Sequence, residues 1–334
     1  MRNRRVVIAR TGGPEALELV EDDLPDPGPG EVQVRVLASG VAFGDVMKRR
    51  GLVPGMPHHP YTPGYDLVGV VEKVGARAGR WREGDRVAAF VVNGANAERA
   101  NVDADLPVAV PEGPGDAEAV CTVLNYVTAW QMLHRVAGVR RGERALVHGA
   151  AGGVGQALLD LARLEGVATF GTASRGKHDL LRRFGATPID YRSEDFVDRV
   201  RALSPGGVDA AFDPVGGRHL LRSARAVRRR GTLVCYGASA ALAGGRSEVL
   251  LTLLLFGLAK LRPLGPKARF YGISTSAGST RETIRADLAK LLALLADGRL
   301  EPVVGARLPL AEAARAHELL ENARVTGKVV LVPA

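Results

Sequence analysis

Cysteine is scarce in this sequence. Only Cys121 and Cys235 occur among its 334 residues, and each lies in an apolar context. Two isolated cysteines exclude a cysteine-rich zinc site and a disulfide framework, and they are typical of a reducing compartment. We therefore expect a cytoplasmic protein.

Long hydrophobic runs are absent too. The longest, at residues 249–258, reads V-L-L-T-L-L-L-F-G-L, which is well short of the roughly 20 residues that a membrane-spanning helix needs. The opening stretch M-R-N-R-R-V-V-I-A-R lacks the apolar core of a secretory signal peptide. Both absences predict a soluble protein with no membrane span.

Aromatic residues make up only 5% of the chain, whereas its net charge is +9. A nucleic-acid surface would combine a basic patch with aromatic side chains. The arginine-rich run at residues 222–230 contains no aromatic residue. Because several of its arginines are three or four residues apart, we interpret the run as a solvated helix face and expect no nucleic-acid partner.

A glycine-rich stretch stands at the centre of the sequence. Residues 144–155 read R-A-L-V-H-G-A-A-G-G-V-G, and residues 156–164 continue with helical apolar spacing. A strand, a glycine turn and a helix in this order are typical of a dinucleotide site, because backbone N–H groups can then approach a pyrophosphate. Ala150 takes the place of the first glycine of the usual pattern. The stretch therefore also fits a simple tight turn.

The residues after the next strand indicate which dinucleotide would bind. A strand is predicted at residues 167–173, and NAD sites carry an acidic residue near its end. This chain has Ser174, Arg175 and Lys177 there instead. A hydroxyl and two cations suit the 2′-phosphate of NADPH, since such hydrogen bonds are charge-assisted. The alternative is a solvated loop with incidental charge.

The secondary-structure pattern changes along the chain, whose length suggests two domains. Short predicted strands dominate the first third, at residues 6–9, 17–20, 31–38, 68–75 and 85–90. Strands and helices then alternate, which predicts a doubly wound parallel sheet and an α/β fold class. The predicted strands are 145–148, 167–172, 187–191, 208–213, 231–237 and 269–273, with helices at 177–184, 194–202, 281–296 and 311–322.

An ordered set of motifs covers nearly the whole chain. It comprises G-V-A-F-G-D-V at 40–46, P-G-Y-D-L-V-G-V-V at 63–71, G-D-R-V at 84–87, the glycine stretch, F-D-P-V-G-G at 212–217 and G-K-V-V-L at 327–331. With these motifs the chain resembles the zinc-independent quinone oxidoreductase branch of the medium-chain dehydrogenase/reductase family.

The resemblance implies a domain plan, a cofactor and an assembly. We expect a GroES-like, mostly-β catalytic domain at 1–123, a Rossmann NADPH-binding domain at 124–265 and a segment, 266–334, that returns to complete the first. It also implies NADPH in the cleft and a homodimer. Zinc relatives place cysteine where this chain has Ala42 and a His-Glu pair where it has Tyr65 and Asp66. We therefore expect no metal site.

The resemblance also implies roles for individual residues. Gly152, Gly153 and Val154 would contact the pyrophosphate, and Ser174, Lys177 and Tyr191 the 2′-phosphate, with Arg175 added on charge alone. The nicotinamide side would be lined by Thr128, Gly237, Ala238, Tyr271 and Gly272, and Lys328 would help to close the site.

The implied reaction is hydride transfer to a small-molecule quinone or α,β-unsaturated carbonyl. Asp45, Tyr65 and Tyr61 are candidate proton or hydrogen-bond donors, although Asp45 could simply cap a helix and water could supply the proton.

Quinone reductases usually have asparagine at the position of Ala42 and often tyrosine at that of Val53. Two alternatives therefore stay open: a biosynthetic enoyl reductase, and a non-catalytic NADPH-binding protein like the vesicle amine transport relatives.

One further segment, residues 249–264, is apolar on nearly every side of any helix that it forms. A single buried face would not suffice for such a helix. We predict that it covers the cleft or packs on a second subunit.

Overall fold

The computed structural model describes residues 2–53, 55–260, 265–276 and 278–333. The chain forms two compact units. Unit 1 comprises Met1–Val127 and Arg281–Ala334, and unit 2 comprises Thr128–Thr280.

The secondary-structure elements are numbered here in chain order. The strands are β1 (Arg2–Ile8), β2 (Leu17–Asp23), β3 (Glu31–Val41), β4 (Asp66–Val74), β5 (Arg86–Phe90), β6 (Arg99–Asp103), β7 (Val108–Ala109), β8 (Arg144–Val147), β9 (Ala168–Ala173), β10 (Thr187–Asp190), β11 (Val208–Asp213), β12 (Val227–Cys235), β13 (Lys267–Phe270), β14 (Val304–Pro309) and β15 (Lys328–Val332). The helices are α1 (Phe43–Arg49), α2 (Asp116–Cys121), α3 (Val127–Trp130), α4 (Gly153–Glu165), α5 (His178–Arg183), α6 (Phe196–Leu203), α7 (His219–Ala226), α8 (Ala241–Gly244), α9 (Arg246–Lys260), α10 (Arg281–Ala296) and α11 (Ala313–Glu321).

Unit 1 is built on a sheet with strand order β14-β15-β3-β4-β5-β7, in which β6 also pairs with β3, and on the separate hairpin of β1 and β2. Alternating residues of β3 explain its place at the centre. Val32, Val34 and Val36 are buried in one apolar cluster with residues of the neighbouring strands. Side chains two residues apart lie on the same face of a strand, so this alternation directs one face of β3 into the core.

Unit 2 is a parallel six-stranded sheet with strand order β10-β9-β8-β11-β12-β13. The central strands β8, β9 and β11 are buried along nearly their whole length, as expected for a parallel sheet covered by helices on both faces. From β8 the chain moves outward to β9 and β10, and then crosses back to β11 on the other side of β8. The carboxyl ends of β8 and β11 therefore flank the switch point at which α/β sheets bind ligands. The predicted α/β fold class is confirmed.

The chain leaves unit 2 later than the sequence pattern predicted. The predicted return to the first domain began at residue 266, yet β13 pairs in parallel with β12. Residues 266–280 therefore belong to unit 2, and unit 1 resumes at α10. A four-residue strand at a sheet edge has too short an apolar pattern for its partner to be identified from sequence.

The apolar segment 249–264 is helical where the structure describes it. Helix α9 contains residues 249–260, and residues 261–264 lie outside the described part of the chain. Thr252 is buried, and its hydroxyl accepts a hydrogen bond from the N–H of Gly217 at 2.8 Å. Four leucines of α9 are 50–67% exposed, namely Leu250, Leu253, Leu254 and Leu258. None of the described helices is both long enough and apolar enough to cross a bilayer.

Candidate functional site

The glycine-rich loop after β8 has the conformation that a dinucleotide site needs. Gly149 has a φ of +61°, a left-handed conformation that glycine adopts without strain. Its carbonyl oxygen accepts a hydrogen bond from the N–H of Gly152 at 2.9 Å. Gly152 is the N-cap of α4, and the helix continues through Gly153 and Val154.

Gly155 lets helix α4 start close to the strand. A Cβ atom at this position would lie 2.3 Å from the carbonyl oxygen of Gly149 and 2.7 Å from the Cα of Ala150. Any larger residue would displace the helix from the loop. The first N–H groups of α4 have no partner within the helix, and the helix dipole adds positive potential there. The loop thus points backbone N–H groups toward the switch point, and its contact with a pyrophosphate stays a prediction.

Cationic and hydroxyl side chains follow β9 and β10. The two strands pair with Asp190 beside Ala173, so Ser174 and Tyr191 leave the sheet at the same edge. Ser174 begins the short turn Arg175–Lys177, and burial followed by the charge of Arg192 lowers the pKa of Lys177. The structure therefore brings Ser174, Arg175, Lys177 and Tyr191 to one edge.

Arg192 was missed by sequence reasoning. Its guanidinium lies 5.8 Å from the ring centroid of Tyr191, and its charge acts on Lys177. The available signal was its position directly after Tyr191 at the end of a predicted strand.

The remaining residues assigned to the nicotinamide side divide into two groups. Thr128 is 7% exposed, and its buried hydroxyl has no hydrogen-bond partner within the described residues. Gly237 and Ala238 follow β12, and a Cβ at Gly237 would lie 2.7 Å from the carbonyl oxygen of Pro214. The assignment of these three residues to the nicotinamide side stays a prediction.

Tyr271 and Gly272 have roles within unit 2. Tyr271 is 2% exposed, and its hydroxyl donates a hydrogen bond to the side-chain oxygen of Gln131 at 3.0 Å. Gly272 begins a turn in which its N–H donates to the hydroxyl of Ser276 at 2.9 Å. The Tyr271 side chain therefore stabilises the unit rather than presenting its hydroxyl to a ligand.

A buried polar network joins the carboxyl ends of β8 and β11. Ser223 donates a hydrogen bond to Oδ2 of Asp213 at 2.6 Å, and its oxygen lies 3.1 Å from Nε2 of His148 and 3.3 Å from Nδ1 of His219. The other oxygen of Asp213 accepts the N–H groups of Val215 and Gly216. The network thus fixes both the loop that follows His148 and the turn that follows Asp213.

The environment of this network perturbs two pKa values. Burial lowers the pKa of His148 to about 3. Burial opposes ionisation of Asp213, but hydrogen bonding to His219 and the charge of the two histidines hold its pKa at about 2. His148 is therefore neutral and Asp213 ionised near neutral pH.

In unit 1 the buried carboxylate of Asp45 accepts hydrogen bonds from two backbone N–H groups. Its oxygens accept the N–H of Ala42 at 3.0 Å and that of Gly64 at 3.1 Å. Asp45 is the third residue of α1, so the first bond caps the helix, and the second holds the segment before β4. Burial raises the pKa of Asp45 to about 6. This geometry supports the capping alternative over a role as general acid.

The hydroxyl of Tyr61, one of the two candidate tyrosines of unit 1, has no hydrogen-bond partner among the described residues. Tyr61 is 9% exposed, and its hydroxyl is buried. Burial raises the pKa of Tyr61 to about 12 and raises the pKa of Tyr65 further. The negative charge of Asp45 is the second cause of the rise in both pKa values. Both phenols stay protonated near neutral pH and can donate a hydrogen bond.

Lys328 forms a buried ion pair. Its ammonium lies 2.7 Å from Oδ2 of Asp66, and the two side chains are 2% and 0% exposed. The same carboxylate oxygen accepts the N–H of Leu124 at 3.2 Å. Lys328 is therefore held by an ion pair within unit 1, and the ligand contact implied by the resemblance stays a prediction.

Comparisons with known proteins agree with this architecture. The family described as "Alcohol dehydrogenase GroES-like domain" matches residues 28–131, and the family described as "Zinc-binding dehydrogenase" matches residues 184–331. The synaptic vesicle membrane protein VAT-1 homolog of Mus musculus is 34% identical over 339 residues, which cover 99% of this chain and 84% of the relative. The chain belongs to the medium-chain dehydrogenase/reductase family.

Two further relatives represent its enzymatic members. The structure of Escherichia coli quinone oxidoreductase complexed with NADPH has a TM-score of 0.87 and 29% identity, covering 99% of this chain and 100% of that one. A mycocerosic acid synthase-like polyketide synthase of Mycobacterium tuberculosis is 32% identical over 332 residues, which cover 98% of this chain and 15% of that protein. The predicted quinone oxidoreductase branch is thus confirmed.

The structure also accounts for the three positions at which zinc relatives carry ligands. Ala42 offers no ligand atom, Tyr65 packs beside Phe90 with 6.1 Å between ring centroids, and Asp66 is paired with Lys328. Among the described residues, one group could hold a metal by composition, His148, Asp213 and His219. The Ser223 hydroxyl already lies within hydrogen-bond distance of all three. The absence of a metal site stays a prediction.

The cap formed by Asp45 leads to a stability prediction. We expect Asp45→Ala to lower the free energy of unfolding by about 2–4 kcal/mol, because two buried N–H groups lose their acceptor at about 1–3 kcal/mol each. Urea unfolding followed by circular dichroism measures this. Asp179→Ala, at a fully exposed carboxylate, is the control, and an equal effect of both variants would contradict the cap.

His148 leads to a prediction of pH dependence. Unfolded histidine binds a proton below about pH 6.5, whereas folded His148 stays neutral to about pH 3. The unfolded chain therefore binds more protons between these values, and stability falls as pH falls, by at most about 1.4 kcal/mol per pH unit from this group.

Urea midpoints measured between pH 7.5 and 4.5 test this dependence. We expect His148→Gln to be less stable at pH 7.5 but to show a shallower loss on acidification. His58→Gln, at an exposed histidine, should keep the slope of the parent. An unchanged slope in His148→Gln would show that this group does not titrate as described.

Proposed function

We propose that this protein is an NADPH-dependent, zinc-independent reductase that transfers hydride to a quinone or an α,β-unsaturated carbonyl. The observation that supports the proposal is the edge of unit 2 where Ser174, Lys177 and Arg192 follow β9 and β10, because these strands adjoin β8, which the glycine loop follows. The NADPH complex of the E. coli relative supports the same cofactor.

The residues present fit NADPH in three respects. The N-terminus of α4 offers N–H groups to a pyrophosphate. The cations after β9 and β10 offer charge-assisted hydrogen bonds to a 2′-phosphate. The unpartnered hydroxyl of Thr128 offers a hydrogen bond to a polar group of the cofactor. A buried hydroxyl without a partner is costly, so a ligand that satisfies it would be stabilised.

When bound, NADPH supplies the hydride. The chain must then orient both reactants and stabilise the negative charge that develops on the substrate oxygen. The protonated hydroxyls of Tyr61 and Tyr65 can donate a hydrogen bond to that oxygen. Asp45 holds the start of α1 and the segment that carries both tyrosines, so we assign it a structural role.

Two alternatives have specific support. The first is a biosynthetic enoyl reductase, and the similarity to a polyketide synthase, a biosynthetic protein by its name, supports it. The second is a non-catalytic NADPH-binding protein, which the apolar side chains at Ala42 and Val53 support; the VAT-1 homolog that matches 99% of this chain is named as a membrane protein of synaptic vesicles and not as an enzyme. We propose a cytoplasmic location, which two unpaired, buried cysteines support.

A substrate panel separates these functions. NADPH oxidation would be followed with enones, quinones and enoyl thioesters, before and after dialysis against a chelator. We expect turnover of enones or quinones that survives the dialysis. NADPH binding without any turnover would favour the non-catalytic alternative, and loss of turnover with the metal would reject zinc independence.

Cofactor choice gives a sharper prediction. We expect the parent protein to bind NADPH more tightly than NADH. Lys177→Ala should weaken NADPH binding roughly 10- to 100-fold, because a hydrogen bond to a charged group contributes about 1.5–3 kcal/mol. NADH binding should change little. Fluorescence titration of both cofactors measures the effect without any need for turnover.

Arg225→Ala is the matched control, since it removes an exposed cation from the end of α7. It should leave both affinities near those of the parent. Equal affinity of the parent for NADPH and NADH would reject the proposed phosphate site.

We also propose that the protein forms a homodimer through one edge of unit 2. Strand β13 is at the end of the six-stranded sheet, and no described strand pairs with its outer side. Phe270 at its end is 48% exposed, and α9 adds four exposed leucines. An open strand edge beside an apolar patch is typical of a surface that another chain covers.

A charged substitution tests this assembly. We expect Leu253→Glu to lower the mass in light scattering from dimer to monomer, because an unpaired charge is costly to bury. Leu203→Glu, at a leucine 40% exposed on α6, should leave the mass unchanged. A monomeric parent protein would refute the dimer.

A further inference from the structure

Unit 2 contains a small charged cavity at the amino ends of its strands. The cavity has a volume of about 220 Å³, below the roughly 300–1,000 Å³ of sites that hold drug-sized ligands. Six of the eleven residues that line it are charged, namely Arg140, Glu143, Asp209, Arg228, Arg230 and Lys267. A lining of this kind suits a small ion better than an apolar ligand.

This cavity is separate from the glycine loop. Lys267 begins β13, and Glu143 directly precedes β8, whereas the glycine loop follows the carboxyl end of β8. The four residues of β8 alone span about 13 Å. The cavity and the proposed cofactor site therefore lie at opposite edges of the same sheet.

The arginine-rich run at residues 222–230 divides between two elements. Its sequence pattern predicted a single solvated helix face, but α7 ends at Ala226. The last three residues of the run are arginines in β12, and all three are exposed. Arg228 and Arg230 line the cavity, whereas Arg229 does not.

An irregularity in β12 accounts for this arginine triplet. Val208 pairs with Val227 and Ala210 pairs with Thr232, so β12 advances by five residues where β11 advances by two. Residues 228–230 are among those that β11 leaves unpaired. Bulges redirect side chains and are frequent beside functional sites.

The backbone of this bulge is held in an unusual conformation. Arg230 has a φ of +64°, in the left-handed region that residues other than glycine seldom adopt. Beside it, a Cβ at Gly231 would lie 2.7 Å from the carbonyl oxygen of Asp209, so the bulge packs tightly against β11. Because glycine adopts a positive φ without strain, Arg230→Gly would remove the cation and suit the backbone.

The two carboxylates of the cavity already have partners. Glu143 accepts a hydrogen bond from the N–H of Arg140 at 2.8 Å, and Asp209 accepts one from the N–H of Arg144 at 2.7 Å. The guanidinium of Arg228 forms ion pairs with both carboxylates. These groups neutralise one another in part and fix the starts of β8 and β11.

Three other cations of the cavity lack such partners. Among the described residues, no carboxylate forms an ion pair with Arg140, Arg230 or Lys267. With four cations and two carboxylates, the lining carries an excess of two positive charges. The helical segment Gln131–Ala137 ends at the cavity and adds about half a negative charge, which is too little to cancel this excess.

We propose that this cavity binds the phosphate group of a small anion through Arg140, Arg230 and Lys267. A guanidinium can bind two phosphate oxygens at once, and an ammonium adds a compact charge. The site goes beyond the reductase function, because it uses none of the residues proposed to hold NADPH. A soluble phosphate and a lipid headgroup present the same chemistry.

Isothermal titration of the full chain with inorganic pyrophosphate tests the site. We expect Arg230→Gly and Arg140→Ala each to weaken binding roughly 10- to 100-fold, the effect of losing a charge-assisted hydrogen bond. The urea midpoint of Arg230→Gly without pyrophosphate should not fall, since its backbone suits glycine. Arg229→Ala removes a cation from the same bulge but not from the cavity, and it should keep the affinity of the parent.

Lys177→Ala separates this site from the proposed cofactor site. It should keep the Arg230-dependent binding of pyrophosphate, and Arg230→Gly should keep the NADPH dissociation constant of the parent. If pyrophosphate binding were lost in Lys177→Ala but kept in Arg230→Gly, the anion would belong to the cofactor edge and the inference would fail.

Vesicles of phosphatidylcholine and phosphatidic acid distinguish the two sources of phosphate. Arg230-dependent sedimentation with these vesicles would identify a lipid headgroup. Pyrophosphate binding without sedimentation would identify a soluble anion, and either result supports the site. Two outcomes would overturn it: a parent protein that binds neither probe, and equal losses in Arg229→Ala and Arg230→Gly, which would indicate diffuse surface charge.

Discussion

The buried pair of Lys328 and Asp66 is the interaction on which unit 1 depends. It joins residues 262 positions apart in sequence, one on the last strand and one at the start of β4. Gly40 lies between them, and a Cβ there would be 2.1 Å from Lys328 and 2.3 Å from Asp66. Breaking such a pair leaves an uncompensated buried charge, at a cost of about 3–5 kcal/mol. The pair therefore ties the returning end of the chain to the sheet that carries Tyr65.

Sequence predicted the elements whose signal is local. Alternation identified β3, because every second side chain enters the core, and apolar spacing identified α10 at the residues where it occurs. The glycine loop was predictable as well, since Gly149 permits a left-handed turn and Gly155 a close approach of α4 to that turn. The cations after β9 were predictable because they follow the strand that comes after the glycine loop. Arg192 was missed because it follows β10, which lies next to β9 only in the folded sheet.

Sequence did not predict features that depend on distant contacts. Nothing in the sequence singled out Lys48, because its contacts with Tyr65 and Val92 are made only in the folded unit. Tyr271 was assigned to a ligand, whereas its hydroxyl is bound by Gln131, 140 residues away in sequence. The sequence left open whether Asp45 donates a proton or caps a helix. Its carboxylate also accepts a hydrogen bond from the N–H of Gly64, which no helix-capping pattern includes, and this bond favours a structural role. Each case requires knowing which segments meet.

The discontinuity of unit 1 has a consequence for synthesis on the ribosome. Ser39, Gly40 and Val41 at the end of β3 pair with β15, which the ribosome makes long after β3. Until then this stretch of β3 presents unpaired backbone groups at a sheet edge, and exposed edges recruit other chains. Unit 2 is contiguous in sequence and can complete its sheet earlier. A nascent chain would thus carry a finished parallel sheet in unit 2 and an open, aggregation-prone sheet in unit 1 until β15 has been made.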